Sequence, residues 1–251
     1  LPMLTNFVVC IPPLSEQQSI ASFLDTKCGE IDSLISLQEE MISELQAYKQ
    51  SVITEAVTKG LDPNAKMNCC ASREKNDACI SSSETQPAIE RKFKDSGVEW
   101  IGEIPEGWKT NRLKYLCSIA TGNKDTQDSE EDGIYKFYVR SPIIEHSNSW
   151  TFEGEGILMA GDGAGAGRVF HHAFGKYAVH QRVYRMADFK SINTNFLYYY
   201  LSSLFCRIMD MGSAQSTVPS VRLPMLTNFV VCIPPLSEQQ AIASYLDDKT
   251  S

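Results

Sequence analysis

The sequence is poor in the groups that most enzymes and membrane proteins need. It holds only four histidines, His146, His171, His172 and His180. None has the His-x3-His or His/Cys spacing of a metal site, and no Ser-His-Asp arrangement can be read. Surface or groove-facing histidines are expected, and nothing demands catalysis. No apolar run approaches membrane-spanning length, and no cationic-then-apolar leader is seen, so no membrane partner and a cytoplasmic location are expected. The eight cysteines form no CxxC pair, which favours reduced thiols. Cys69-Cys70 and Cys79 lie in a polar stretch where a metal knuckle would lack its fourth ligand. An excess of positive charge is missing as well. With 23 Lys and Arg against 31 Asp and Glu the net charge is −8, which argues against nonspecific attraction to nucleic-acid phosphates.

What is present is a repeat. Leu1 to Gln18 recurs letter for letter as Leu223 to Gln240, and the match continues with drift through Leu24-Asp25 and Leu246-Asp247. The period is about the size of a domain plus one long helix, so the chain reads as one complete unit followed by the opening of the next. Because it begins inside a repeat, a half-subunit, a permutant or a truncated fragment is expected. Phe7 to Ile11 is a short β-branched apolar run, which predicts a buried strand. Cys10 and Cys232 hold the same place in the two copies and suit apolar core filling. Pro12-Pro13 stops the strand. Ser15 and Gln18, like Ser237 and Gln240, have the spacing of a capping box at a helix start.

From Ser15 to about Lys59 the apolar residues follow a heptad. One seam position holds Leu24, Ile31, Gln38, Leu45 and Val52; the other holds Ile20, Lys27, Leu34, Met41, Tyr48 and Glu55. Cys28-Gly29 is a weak point where the helix is open to bending, and Gly60 is a natural stop. A helix this long with one apolar stripe needs a covering partner, so residues 15–60 predict a spacer and dimerisation helix. The faces of Ile20, Leu24, Ile31, Leu34, Met41, Leu45, Tyr48 and Val52 form the expected interface. Residues 1–14 read as the remnant strand and Pro-Pro elbow of a preceding domain. Residues 61–94 read as a polar linker with an insertion, and 237–251 as the start of a second such helix.

Residues 95–236 change character, with aromatics and alternating runs. Strands are expected at Arg112 to Ala120, Tyr135 to Val139, Gly156 to Ala160, Arg168 to Phe174 and Tyr177 to Met186. Asn193 is placed to cap an amphipathic helix that shows Phe196, Leu197, Tyr200, Leu201, Leu204, Phe205 and Ile208 on one face, with Gly212 closing it. The glycine run Gly161 to Gly167 lacks the Gly-x4-Gly-Lys spacing of a phosphate loop and precedes a strand rather than a helix, so a hairpin is the better reading and a nucleotide-dependent enzyme is disfavoured. The fold class expected is α+β, a mixed β-sheet domain with packed helices plus the coiled-coil-type spacer helix.

The polar set Arg140, Arg168, His180, Gln181, Arg182, Gln215 and Ser216, with Ser213 and Thr217 nearby, supplies side chains able to read base edges, since Arg bridges guanine and Gln bridges adenine. Taken singly, each is also an ordinary solvated loop residue.

Three ordered motifs carry a resemblance: Ser96 to Trp108 (Ser-Gly-Val-Glu-Trp-Ile-Gly-Glu-Ile-Pro-Glu-Gly-Trp), Gly212-Ser-x-Gln215, and Pro234-Pro-Leu-Ser-Glu-Gln-Gln240 with Ile242 and Leu246. Together with Gly60 to Met67 they resemble the specificity subunit of type I restriction–modification systems. The resemblance implies a non-catalytic protein whose recognition domains each read half of a split double-stranded DNA target. It implies long helices that set the gap and dock modification (methyltransferase) subunits, joined by a restriction subunit. S-adenosylmethionine and ATP with Mg would then sit on those partners, with no cofactor on this chain. Residues 68–93 depart from the pattern as an insertion, and only one recognition domain is present, so a homodimer or pairing with another specificity half is expected. From Glu99 to Arg222 there are 13 basic and 14 acidic residues, so the domain is near neutral and weak DNA binding alone, tight binding in complex, is expected. A non-DNA coiled-coil scaffold, or an inactive truncated allele, is the alternative.

Overall fold

The computed structural model describes residues 11–61, 91–212 and 219–250, and the chain divides into two compact units between Lys49 and Gln50. Phe7 to Cys10 of the first repeated strand, all but three residues of the expected insertion, and Ser213, Gln215, Ser216 and Thr217 lie outside the described residues, while Ile11 is described, exposed and outside any strand.

Helix α1 (Leu14–Lys59) runs 46 residues without a break at Cys28-Gly29. It begins one residue ahead of the expected cap. Pro13 accepts hydrogen bonds from the Glu16 and Gln17 N–H groups, and the Gln17 side chain donates to the Pro12 carbonyl at 2.7 Å. A capping box needs an N–H on the cap residue, and proline has none, so the glutamine amide makes the local tie instead. The second copy repeats this: Pro235 accepts from Glu238 and Gln239, and the Gln239 amide donates to the Pro234 carbonyl at 2.8 Å. Along the first unit the apolar stripe is exposed, Ile20, Leu24, Ile31, Leu34, Met41, Leu45 and Tyr48 being 46–69% accessible. Val52 departs from that expectation. It lies in the second unit and packs on the domain core, as do Ile53, Ala56 and Val57, because the last turns of α1 belong to the globular unit. Gly60, at φ +79°, closes the helix through a bond from its N–H to the Ala56 carbonyl.

The second unit is α+β. Strand β1 (Phe93–Asp95) pairs antiparallel with β2 (Glu103–Pro105), so a strand overlaps the end of the expected linker at Phe93 and Lys94. Then follow β3 (Lys109–Arg112), β4 (Ser118–Thr121), β5 (Tyr135–Tyr138), β6 (Glu145–Ser147), β7 (Phe152–Glu153), β8 (Gly156–Ala160), β9 (Phe170–Ala173), β10 (Lys176–Val179) and β11 (Val183–Ala187). Helix α2 (Thr194–Gly212), the short α3 (Leu223–Thr227), β12 (Val230–Ile233) and α4 (Leu236–Thr250) complete it. One four-stranded sheet has the order β6-β5-β10-β7, with β5 and β10 parallel; the other, β4-β11-β8-β9, is antiparallel throughout.

Two expected strands are broken. A 3-10 turn at Leu113–Tyr115 separates β3 from β4, and His180 to Arg182 separate β10 from β11. In both places the chain leaves one sheet for another, and a single alternation cannot serve two sheets.

Strand β8 shows how the layers stack. Ile157 and Met159 join the core beneath α2, which includes Phe196, Tyr200, Leu204 and Phe205, whereas Leu158 faces the second cluster with Tyr138, Tyr177 and Val179. Burial of all five β8 residues follows from this two-sided cover. Asn193 caps α2 as expected, its Oδ1 accepting the Phe196 N–H at 2.9 Å. The repeated strand, elbow and helix seat on this core: β12 pairs with β3, Cys232 is fully buried, and Gln239 accepts the Asn193 N–H at 2.7 Å.

Candidate nucleic-acid interface

The ends of several strands are tied into one patch by main-chain hydrogen bonds. The Gln181 N–H donates to the Lys124 carbonyl at 2.8 Å, the His180 N–H to Tyr138 at 3.0 Å and the Gly161 N–H to Arg182 at 2.8 Å. On the other side, the Val221 N–H donates to the Gly161 carbonyl and the Gly163 N–H to Pro219. The segments around Lys124, Arg140, Gly161 to Arg168, His180 to Arg182 and Pro219 therefore form one surface. The glycine hairpin between β8 and β9 is as the sequence predicts, and it must come close. A side chain at Gly165 would place its Cβ 2.6 Å from the Arg140 carbonyl.

Five of the seven residues expected to meet DNA fall on this surface or in its framework. Arg140, Arg168, Gln181 and Arg182 are exposed. His180 is a correction: it is 2% accessible. Its Nδ1 accepts the Arg182 N–H at 3.0 Å, which leaves the hydrogen on Nε2, facing Thr126 Oγ1 and Asp125 Oδ1 at 3.4 Å each. The ring thus shapes the turn that presents Gln181 and Arg182, and the expectation of a surface histidine fails because the break between β10 and β11 needs a buried acceptor. Gln215 and Ser216 lie outside the described residues.

Sequence reasoning passed over the acidic partners. Asp162, two residues after the end of β8, accepts from Arg140 Nη1 at 3.1 Å through one oxygen and faces Arg182 Nη1 at 3.6 Å through the other. Asp125 sits at the start of a short 3-10 turn; the Thr126 N–H holds its carboxyl below the usual range, helped by His180 and Arg140 and opposed by burial. Lys124 was missed too; its ammonium donates to the Ser147 and Ser149 hydroxyls at 3.0 and 2.6 Å. The available signal was the Gly-Asp-Gly sequence itself, an acid set between two glycines.

Elsewhere on the unit, an open cleft of about 490 Å³ lies between β5, β9 and α2, lined by Tyr138, His171, His172, Phe174, Tyr198 and Tyr199 among others. His172 stacks on Tyr198 and pairs with Glu155 at 2.9 Å; burial lowers the His171 pKa. Among the described residues no cluster of His, Cys, Asp or Glu is arranged for a metal ion, and no helix is long and apolar enough to cross a membrane.

Residues 105–251 match the family model for the type I restriction modification DNA specificity domain. The chain belongs to that family. The type I restriction enzyme EcoDI specificity subunit of Escherichia coli is similar, 34% identical over 146 residues that cover 58% of this chain and 32% of that protein. The MjaVIII specificity subunit of Methanocaldococcus jannaschii is 25% identical over 96% of this chain and 55% of its own length. A solved structure concerned with complex assembly and conformational transition of the type I R-M system shares the fold, with a TM-score of 0.60 and 18% identity over 95% of this chain and 52% of that one. The chain thus spans about a third to a half of the length of the curated relatives it matches.

Proposed function

We propose that this chain is a non-catalytic DNA-recognition element of a type I restriction–modification complex, and that the loop surface around Arg140, Arg168, Gln181 and Arg182 meets one half of a split double-stranded target. The observation that carries this reading is the convergence of those residues, drawn from three separate loops, on one main-chain-tied surface. Guanidinium and carboxamide groups held on a rigid framework suit base-edge readout in a groove. The acidic balance of the whole chain fits a division of labour in which partner subunits supply most phosphate contacts.

In the same reading α1 is a spacer. Its exposed stripe from Ile20 to Tyr48 is covered by a second such helix, from another copy of this chain or another specificity half, and by the modification subunits. S-adenosylmethionine, ATP and Mg belong to the modification and restriction subunits, and the assembly works in the cytoplasm.

The test is selection of bound duplexes from a randomised pool by the chain together with its modification subunits, followed by mobility shift. A defined bipartite sequence bound far more tightly in complex than by the chain alone is expected. Substituting both Arg140→Ala and Arg182→Ala is expected to weaken that binding by about tenfold or more, since each good base contact contributes ~1–3 kcal/mol. Undiminished binding by the double variant would remove the loop surface from the interface. Light scattering of the chain at micromolar concentration checks the helix pairing; a strict monomer overturns the homodimer arm.

A further inference from the structure

Asp162 lies between two arginines of the loop surface. Its side chain is 23% accessible, and its two oxygens take one Nη1 each from Arg140 and Arg182. Each guanidinium has five N–H donors, so one contact to Asp162 leaves the rest of each fork for another acceptor. The backbone of Asp162 is fixed independently of its carboxylate, by an antiparallel bridge to Ser220 and by the flanking bonds from the Gly161 N–H to the Arg182 carbonyl and from the Gly163 N–H to the Pro219 carbonyl. Arg140 also lies close enough to Asp125 to help hold that carboxyl ionised. Charges therefore alternate across the surface, Asp125, Arg140, Asp162, Arg182.

We infer that Asp162 is a specificity-determining positioning residue: it holds Arg140 and Arg182 as a preset pair of forks for base edges and keeps them from acting as free phosphate-binding charges. This rests on the DNA-recognition reading and goes a step past it. Two physical effects act together. An arginine already held in one rotamer loses less side-chain entropy when it meets a bidentate acceptor pair such as guanine O6 and N7. A carboxylate between the two arginines lowers the local positive potential and repels phosphate, so sliding contacts with any sequence gain little. Both effects widen the gap between cognate and noncognate binding, the first by favouring the cognate complex, the second by disfavouring the rest.

The experiment compares the wild-type chain, Asp162→Asn, Asp162→Glu and the Arg140→Ala/Arg182→Ala pair, each in complex with the modification subunits. Affinity is measured for the selected cognate duplex and for a scrambled duplex of the same length across a salt series. Asp162→Asn is expected to tighten scrambled-duplex binding by about three- to tenfold and to steepen its salt dependence by roughly one to two ions, as unmasked arginines contact phosphates. Cognate affinity is expected to gain less or to fall, so the cognate-to-scrambled ratio drops by about tenfold, while Asp162→Glu recovers part of that ratio. A ratio that is unchanged or larger in Asp162→Asn, with the melting temperature preserved, overturns the inference. If Asp162→Asn melts early, Asp162→Glu decides: a cognate-to-scrambled ratio below wild type supports the inference, and an unchanged or larger ratio overturns it. The two readings fail differently. If the double arginine variant leaves cognate binding intact, the surface does not read DNA. If that variant weakens binding but Asp162→Asn keeps the wild-type ratio, only the role of Asp162 falls.

Discussion

Glu16 and Glu238 occupy the same place in two identical stretches of sequence, yet their surroundings differ, which makes a matched pair of substitutions informative. Glu238 accepts the Trp108 Nε1–H at 3.0 Å and pairs with Arg91, whose Nη1 also donates to the Lys59 carbonyl at 2.7 Å. Trp108 is 1% accessible, and the Arg91 and Glu238 side chains are 27% and 21% accessible. Glu238→Ala leaves the buried indole N–H without its acceptor, at a cost of about 1–3 kcal/mol. The half-buried ion pair adds roughly 0.5–1 kcal/mol. The total, about 2–4 kcal/mol, corresponds to a fall in melting temperature of about 5–10 °C for a unit of this size. Glu238→Gln keeps an acceptor for Trp108 and is expected to lose only about 1 kcal/mol. Glu16 is exposed on α1, and Glu16→Ala is expected to stay within about 0.5 kcal/mol of wild type. Calorimetry or urea unfolding followed by circular dichroism reads all three. Equal shifts for Glu16→Ala and Glu238→Ala would refute the argument that surroundings, and not local sequence, decide what this glutamate does.

Gly167 has φ +65°, and an added Cβ would stand 2.7 Å from Met209 Cγ and 3.1 Å from Phe205 Cδ1; Gly167→Ala is expected to destabilise by about 1–3 kcal/mol in urea unfolding. Burial lowers the His171 pKa from its ordinary 6.5, against the raising effect of its bond to the Ser141 carbonyl. Its neutral form is favoured in the fold, so the stability it contributes is present in full above that ordinary value and is lost as pH falls through the folded value. The difference in unfolding free energy between wild type and His171→Phe is therefore expected to shrink on acidification through that window, and a difference that stays constant with pH would count against it. Burial, with Asp188 nearby, pushes the Cys117 thiol up to about 12, whereas Cys28 is exposed on α1. Mass-spectrometric mapping of native alkylation at neutral pH should find Cys28 modified and Cys117 protected until denaturant is added.

The long elements were readable because each carries its own signals. Helix α1 has a heptad and a glycine stop, α2 has Asn193 and an unbroken apolar face, and β8 with β9 is a hairpin marked by glycines. The two broken strands share one cause, the crossing of the chain from one sheet to another. His180 to Arg182 look like the continuation of a strand, because nothing local shows that Val179 belongs to one sheet and Val183 to another. Val52 fits the heptad as well as Leu45 does, yet it packs against a domain far away in sequence. The arginines of the site were visible as types, but Asp162 was not. An acid reads as a surface residue until the hairpin is seen to fold back on Arg140 and Arg182.

The loop surface is knitted together by peptide groups. Lys124, Tyr138, Gly161, Arg182 and Pro219 contribute carbonyls, and these main-chain bonds join the loops alongside the contacts that the Arg140 and Arg182 side chains make with Asp162. Changes of residue type at positions 140, 168, 181 and 182 therefore leave most of the ties between loops in place. A scaffold of this construction separates what it recognises from how it folds, so a lineage carrying it can drift from one target to another through single substitutions without first having to become unstable.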